Sequence, residues 1–156
     1  YMDQVIILLN DYLSYFTVAG SEEKLLTPMM VNNYVKLKII PAPVAKKYSR
    51  SQIAALIMVC TLKQTLGMSE VKKMLPHDAD EETIKRSYSE FTKTHKRLAV
   101  YFSKQVKSGA EPVFKEDAAP GAVDNLVIST AVVASLAKLV TEKILALQID
   151  EENEKD

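Results

Sequence analysis

Apolar positions along this chain recur mainly at helical spacing. Between Tyr1 and Phe16, Val5, Leu9, Tyr12 and Phe16 fall four, three and four residues apart, with Ile6, Leu8 and Leu13 widening the same face. This is the pattern of an amphipathic helix with one side on a core. Further on, Ile84, Tyr88, Phe91, His95, Leu98 and Phe102 recur at four, three, four, three and four. That heptad-like seam calls for another helix against it, and it places His95 as a core or interface histidine. The last helix carries two stripes. Leu126, Thr130, Val133, Ala137, Val140, Ile144 and Leu147 form one, and Ile128, Val132, Leu136 and Leu139 form the other. Two apolar faces on one helix predict burial on both sides, by its own chain or a partner chain.

Punctuating residues divide these patterns into elements. Gly20 and Ser21 close the first helix, and Glu22, Glu23 and Lys24 make a polar connector. Thr27-Pro28 opens a helix running to about Leu37: threonine caps, and proline suits the first helical position because its missing N–H has no partner there. Pro41-Ala42-Pro43 disfavours helix, so residues 40–48 form an extended excursion. Ser49-Arg50-Ser51-Gln52 matches a capping box. The helix it opens carries Ile53, Leu56, Ile57 and Cys60 on one stripe and closes at Gly67. Ser69 is expected to cap a short helix with Val71, Met74 and Leu75, which Pro76 ends. Asp78 or Asp80 opens the long helix and Ser108-Gly109 ends it. Residues 110–121 then form a loop, Asp124 caps the final helix, and an acidic tail follows.

Composition narrows the class. The apolar fraction is 47%, with only four glycines and no alternating runs; the reading is all-α and folded. A single cysteine, Cys60, forms no internal disulfide and reads as a packing residue in a reducing cytoplasm. The longest uncharged apolar run, residues 125–137, is 13 long, short of the roughly 20 that a bilayer requires. The final helix therefore reads as a core or interface helix of a soluble chain. Net charge is zero, yet Lys24 to Lys73 holds nine basic residues and one acid, Glu70, a net +8 balanced by −8 elsewhere. Such local asymmetry points to an anionic partner for that segment.

Leu26 to Leu75, about a third of the chain, resembles the winged helix-turn-helix of the MerR transcription regulators. Thr27-Pro28 stands where that family has the serine-proline opening its recognition helix. Asn33-Tyr34 stands at the aromatic pair, and Lys38-Ile39-Ile40-Pro41 at the glycine-leucine-leucine-proline ending. Lys46 and Tyr48 correspond to the wing arginine and tyrosine, Ser49 to the serine opening the next helix, and Gly67-Met68-Ser69-Glu70-Val71 to the closing pattern. The chain as a whole, through NNYVKLKIIP and KKYSRSQIA, is similar to a bacterial family of uncharacterised proteins carrying this segment. The chain departs from the regulators at Met29 and Asn32, where their recognition helices place arginines, and its excursion is shorter than their wing.

The resemblance implies an all-α fold: a MerR-like head with a short wing-like excursion, followed by a pair of long C-terminal helices. The head spans residues 1–76, with a supporting helix at 1–17 and the core motif at 24–75. Residues 77–156 form the dimerisation or effector region. The implied function is a DNA-binding transcription regulator acting as a cytoplasmic homodimer through the C-terminal helices. Residues 28–37 would enter the major groove and residues 40–48 would lie on the backbone. The DNA-contacting set is Thr27, Met29, Asn32, Asn33, Lys36, Lys38, Lys46, Lys47, Tyr48 and Arg50. Asparagine amides can address adenine and the cations phosphate.

Tyr34 is expected to pack behind the recognition helix. No nucleophile stands with a base at a recognisable spacing, no glycine-rich phosphate loop is present, and the two histidines and one cysteine lack zinc spacing. Neither an enzyme nor a cofactor is therefore expected, and no membrane partner. The alternative is a protein-interaction module on the same fold, favoured by the mobile apolar pair Met29-Met30. A small-molecule sensor with its pocket between the two long helices is the third reading.

Overall fold

The computed structural model describes residues 1–75 and 80–153, and side chains as far as residue 148. Among them are six α-helices and no strand: α1 (Met2–Tyr12), α2 (Pro28–Lys36), α3 (Arg50–Leu62), α4 (Met68–Met74), α5 (Glu81–Ala110) and α6 (Ala122–Asn153). The fold is all-α. The expectations for Pro76, His77 and Asp78 lie outside the described residues. Two compact units divide the chain within α5, Tyr1–Phe91 and Thr92–Asp156.

The first unit holds the entire buried core. Val5, Leu9 and Leu13 line it from the first helix, Val31 and Tyr34 from α2, and Val71 from α4. Ala55, Leu56, Met58, Val59 and Cys60 are all buried on α3. This helix is covered nearly all round, so the single stripe foreseen for it understates its burial, and Ile53 and Ile57 are only half-buried. Ile84 is buried and Tyr88 and Phe91 pack against the cluster. The first turns of α5 thus belong to this unit, which extends past the expected boundary at residue 76.

Local chemistry explains the element ends. Thr27 caps α2, its hydroxyl accepting from Met30 N at 3.3 Å, with Pro28 next. Ser49 and Gln52 form the reciprocal capping box of α3, at 3.2 and 2.7 Å. Asp80 Oδ1 accepts from Thr83 N at 2.8 Å, and hydrogen bonds from Thr83 hold its carboxyl below the usual range.

Three expected ends differ. Helix α1 stops at Tyr12 and a 3-10 turn, Ser14–Phe16, follows it. Gly67, not Ser69, is the N-cap of α4; Ser69 lies inside the first turn and donates to Glu70. Asp124 also lies inside a first turn, because α6 begins at Ala122. Within the expected loop after α5, Glu111–Phe114 forms a 3-10 turn.

Two side-chain amides fix the irregular segments. Asn10 donates to Leu26 O at 2.8 Å and accepts from Leu26 N at 3.0 Å, pairing with the connector before α2 as a strand neighbour would. Gln52, 5% exposed, donates to Pro41 O at 3.1 Å and to Ala42 O at 2.8 Å while its carbonyl accepts from Ser49 N. One amide thus serves the excursion and the cap of α3 together.

In the second unit, α5 from residue 92 and α6 expose their apolar residues. No side chain described in it is buried. His95 is exposed rather than enclosed on a seam. The two-sided burial foreseen for α6 is not met among the described residues: none of its side chains is buried, although Leu126, beside Gly109 of α5, and Thr130 are half-buried. The segment Ala122–Gln148 is 27 residues long and its most apolar 18-residue stretch has mean hydropathy 1.6, enough to cross a bilayer by length and composition. Counting to the first charge at Lys138 concealed that length.

Replacing Gln52 by Ala removes three hydrogen bonds and is expected to destabilise the protein by about 2 kcal/mol. Urea unfolding checks this: the midpoint falls while the slope is unchanged. A shift within about 0.5 kcal/mol would show that the amide is dispensable.

Candidate nucleic-acid interface

The exposed side of α2 follows from its buried one. Val31 and Tyr34 face the core, so Met29, Asn32, Asn33 and Lys36, spaced at i, i+3, i+4 and i+7, share the solvent-facing stripe. All four are exposed, Met29 at 81%. Thr27 is half-buried, and its oxygen is engaged by the cap bond to Met30. It positions the stripe rather than joining it.

Helix α2 ends in a Schellman arrangement. Ile39 N donates to Tyr34 O at 2.9 Å and Lys38 N to Val35 O at 3.0 Å. Lys38 holds a left-handed φ of 56°, a position glycine normally fills because a Cβ is disfavoured there. The chain then turns sharply, Ile39 and Ile40 enter the core, and the lysine projects to solvent.

The excursion closes on a two-residue turn. Val44 and Lys47 exchange backbone bonds of 3.2 and 2.9 Å, and Ala45 and Lys46 stand at φ 49° and 62°. Both central residues are left-handed, the type I′ geometry of the tightest hairpins. Neither is glycine or asparagine, so the turn carries backbone strain at an exposed tip. Lys46 occupies that tip, with Lys47 and Arg50 exposed nearby in sequence. Lys47 Nζ lies 6.0 Å from the Tyr1 ring centroid, the outer limit of a cation–π contact. Tyr48 is half-buried, and burial pushes its phenol up.

Nine of the ten expected residues thus fall into a helical stripe on α2 and a set of Lys46, Lys47, Tyr48 and Arg50 at and after the turn, with Lys38 at the joint, while Thr27 serves as the cap. None of Lys36, Lys38, Lys46 and Arg50 has an acidic partner among the described residues. Sequence reasoning missed Asn10 and the second role of Gln52, which hold the segments before and after α2. Neither belongs to a motif: Asn10 bonds a residue 16 positions away, and Gln52 carbonyls 10 and 11 positions away.

Behind the stripe lies a neutral interior. Tyr34 is 2% exposed with an unpartnered hydroxyl, and burial pushes its phenol up to about 12. Lys63 Nζ stands 5.9 Å from its ring centroid. Cys60 is 2% exposed and burial raises its thiol to about 11, opposed by Lys63. It borders a cavity of about 360 Å³ whose lining includes Phe16, Leu25 and Met30 with Lys24 and Lys63. A thiol held protonated by burial is a packing group, not a redox sensor.

These features define an all-α protein that presents exposed cations at the end of one helix and on the strained turn beyond it. The chain belongs to a family described as a domain of unknown function, DUF1836, whose model matches residues 1–95. That match ends close to the end of the first compact unit at Phe91. Comparison with curated proteins and with solved structures finds no match.

Folded-state values above the ordinary ones give an alkaline limit to stability. The folded protein keeps the protons of Cys60 and Tyr34 where the unfolded chain loses them, near pH 9 and 10. Their contribution is complete below about pH 9 and is lost as pH rises through about 11 and about 12. Denaturant midpoints measured from pH 8 to 12 should fall. Cys60→Ala with Tyr34→Phe should flatten that decline, and an equally steep decline in the double variant would refute the assignment.

Proposed function

We propose that residues 1–91 form a DNA-binding head of MerR-like helix-turn-helix type. The solvent-facing stripe of α2 enters the major groove and the turn at 44–47 lies against the phosphate backbone. The observation that carries this reading is the joint at Lys38. Helix α2 closes there in a Schellman end with a left-handed residue, followed by two buried isoleucines and a proline, in keeping with the sequence resemblance of Lys38-Ile39-Ile40-Pro41 to the glycine-leucine-leucine-proline ending of those regulators. Two further facts support it. Lys36, Lys38, Lys46 and Arg50 have no acidic partner among the described residues, and no acid occurs in sequence between Lys24 and Glu70.

In this reading Lys36, Lys38, Lys46, Lys47 and Arg50 neutralise phosphates, and Tyr48 donates its hydroxyl to one. Asn32 and Asn33 offer amides to base edges, adenine above all. With asparagine in place of arginine, phosphate contacts dominate affinity and base readout is narrow. One short helix binds weakly alone, so the regulator acts as a cytoplasmic homodimer spanning two half-sites. The rival reading, a protein-interaction module, draws on Met29. An apolar side chain 81% exposed at the start of the stripe suits a protein groove better than a phosphate.

Titration of random duplex DNA across a salt series separates the two. Log affinity should fall with log salt at about −0.9 per phosphate neutralised. Lys36→Glu, Lys46→Glu and Lys47→Glu together should weaken binding at least about tenfold at low salt, as the loss of several phosphate contacts requires. Absence of low-salt binding, or indifference to the triple reversal, leaves the interaction module as the reading. On a selected site, Asn32→Ala should lose about 1–3 kcal/mol of discrimination at one base pair.

A further inference from the structure

The first unit is hollow beside α2. Protein interiors pack without large voids, yet a cavity of about 360 Å³ lies between the connector that precedes α2 and the end of α3. That volume falls within the roughly 300–1,000 Å³ of small-molecule sites. All of its lining belongs to one compact unit. We propose that this cavity binds a small carboxylate with an apolar body. The inference stands whether or not the outer stripe of α2 binds DNA.

The frame of the cavity is anchored although one wall is thin. The connector is tied at one end by the 3-10 turn, where Thr17 N donates to Ser14 O at 3.0 Å. At the other end the Asn10 amide holds both backbone groups of Leu26. Between these ties residues 17–24 are all exposed, and Gly20 turns the chain at φ 84°. The segment bridges the space instead of filling it. A second cavity, of about 420 Å³, lies against the same Thr17, Ser21, Glu23 and Lys24. Had the connector collapsed inward, Leu25 and the buried Cys60 would meet its side chains; instead both line open space.

The lining selects the class of ligand. Phe16, Leu25, Met30 and Cys60 supply an apolar part, and burial keeps the Cys60 thiol protonated, so no thiolate opposes an anion there. Lys24 and Lys63 supply two cations against one acid, Glu23, a net +1. Neither lysine has an acidic partner among the described residues; Lys63 Nζ lies 5.9 Å from the Tyr34 ring centroid instead. Thr17 and Gln64 already donate to the carbonyls of Ser14 and Cys60, so the ammonium groups are the strong donors left for a ligand. A carboxylate paired with them makes charge-assisted hydrogen bonds. Its apolar body then removes water from the wall formed by Phe16, Leu25 and Met30. A neutral ligand would use only the second of these contributions, and a bare inorganic anion only the first.

Methionine methyl groups report on this site. Met30 lines the cavity, whereas Met29, its neighbour in sequence, is 81% exposed and does not. The full chain, labelled with ¹³C at its methionine methyls, is titrated with 3-phenylpropionate, and Met30→Leu assigns the signal. The Met30 methyl should shift saturably with a Kd on the order of 1 mM, as suits so small a ligand, while Met29 stays in place. The uncharged 3-phenylpropanol should bind at least about fivefold more weakly, for want of the charge-assisted bonds. Lys24→Gln with Lys63→Gln, both exposed positions, should abolish the preference for the acid over the alcohol. Glu23→Gln, which removes the opposing charge, should tighten the acid alone. A Met30 signal unmoved at about ten times that concentration, a Met29 shift as large as that of Met30, or a preference for the acid that survives the double lysine variant would each overturn the proposal.

Discussion

Without a β-sheet, backbone outside the helices has no ladder in which to place its N–H and C=O groups, and buried ones must still be satisfied. The first unit of this protein depends on how it meets that constraint. Two of its non-helical segments, one before α2 and one between α2 and α3, are each fixed by a carboxamide that offers donor and acceptor together. Asn10 pairs with both backbone groups of Leu26, and Gln52 takes two carbonyls of the proline-bounded excursion while completing the cap of α3. Aspartate or glutamate would lack the donors, and lysine the acceptor. A hydroxyl carries one donor; an amide supplies two donors with an acceptor. Helix α2 thereby becomes a fixed element with a defined inner and outer face, although it is just nine residues long.

Where those segments turn, the chain accepts backbone strain. Lys38, Ala45 and Lys46 all hold positive φ, and two of the three are lysines on the cationic surface. A glycine would relax the backbone at each site, but at Lys38 and Lys46 it would also remove a charge from the face that the head presents. Placing cations at the sharpest bends lets them project outward, because the neighbouring residues are already committed to the core (Ile39, Ile40) or to the turn's own hydrogen bonds (Val44, Lys47). Strain kept at exposed, charged positions is a pattern associated with binding surfaces.

The two units represent opposite solutions to burial. In the head, α3 is enclosed on nearly all sides, and even its cysteine and the tyrosine on the inner face of α2 are kept neutral by burial. Beyond Phe91 the same chain exposes most of its described apolar residues along the remainder of α5 and along α6 as far as residue 148. The family match also ends near that division, at residue 95. A unit with its own core and one whose described side chains form none therefore follow one another in the sequence.

Much of this was legible in the residues, wherever the determining interaction is short in sequence. The Thr27-Pro28 start, the Ser49–Gln52 capping box, the helix break at Pro41 and the seam spacings depend on residues within a turn or two of one another, and the all-α class follows from them. Ends decided by competing local choices were less legible: Ser69 and Asp124 have capping side chains, yet the helices begin before them at Met68 and Ala122. Only the tertiary structure decided the rest. Asn10 reaches Leu26 and Gln52 reaches Pro41 because folding brings distant backbone to them, and the all-round burial of α3 depends on what surrounds it. Periodicity gives the face that a helix must cover; what covers it is set by the geometry of the other elements. For α1 to α4 those elements lie within the first unit, and for α6 no element among the described residues encloses it.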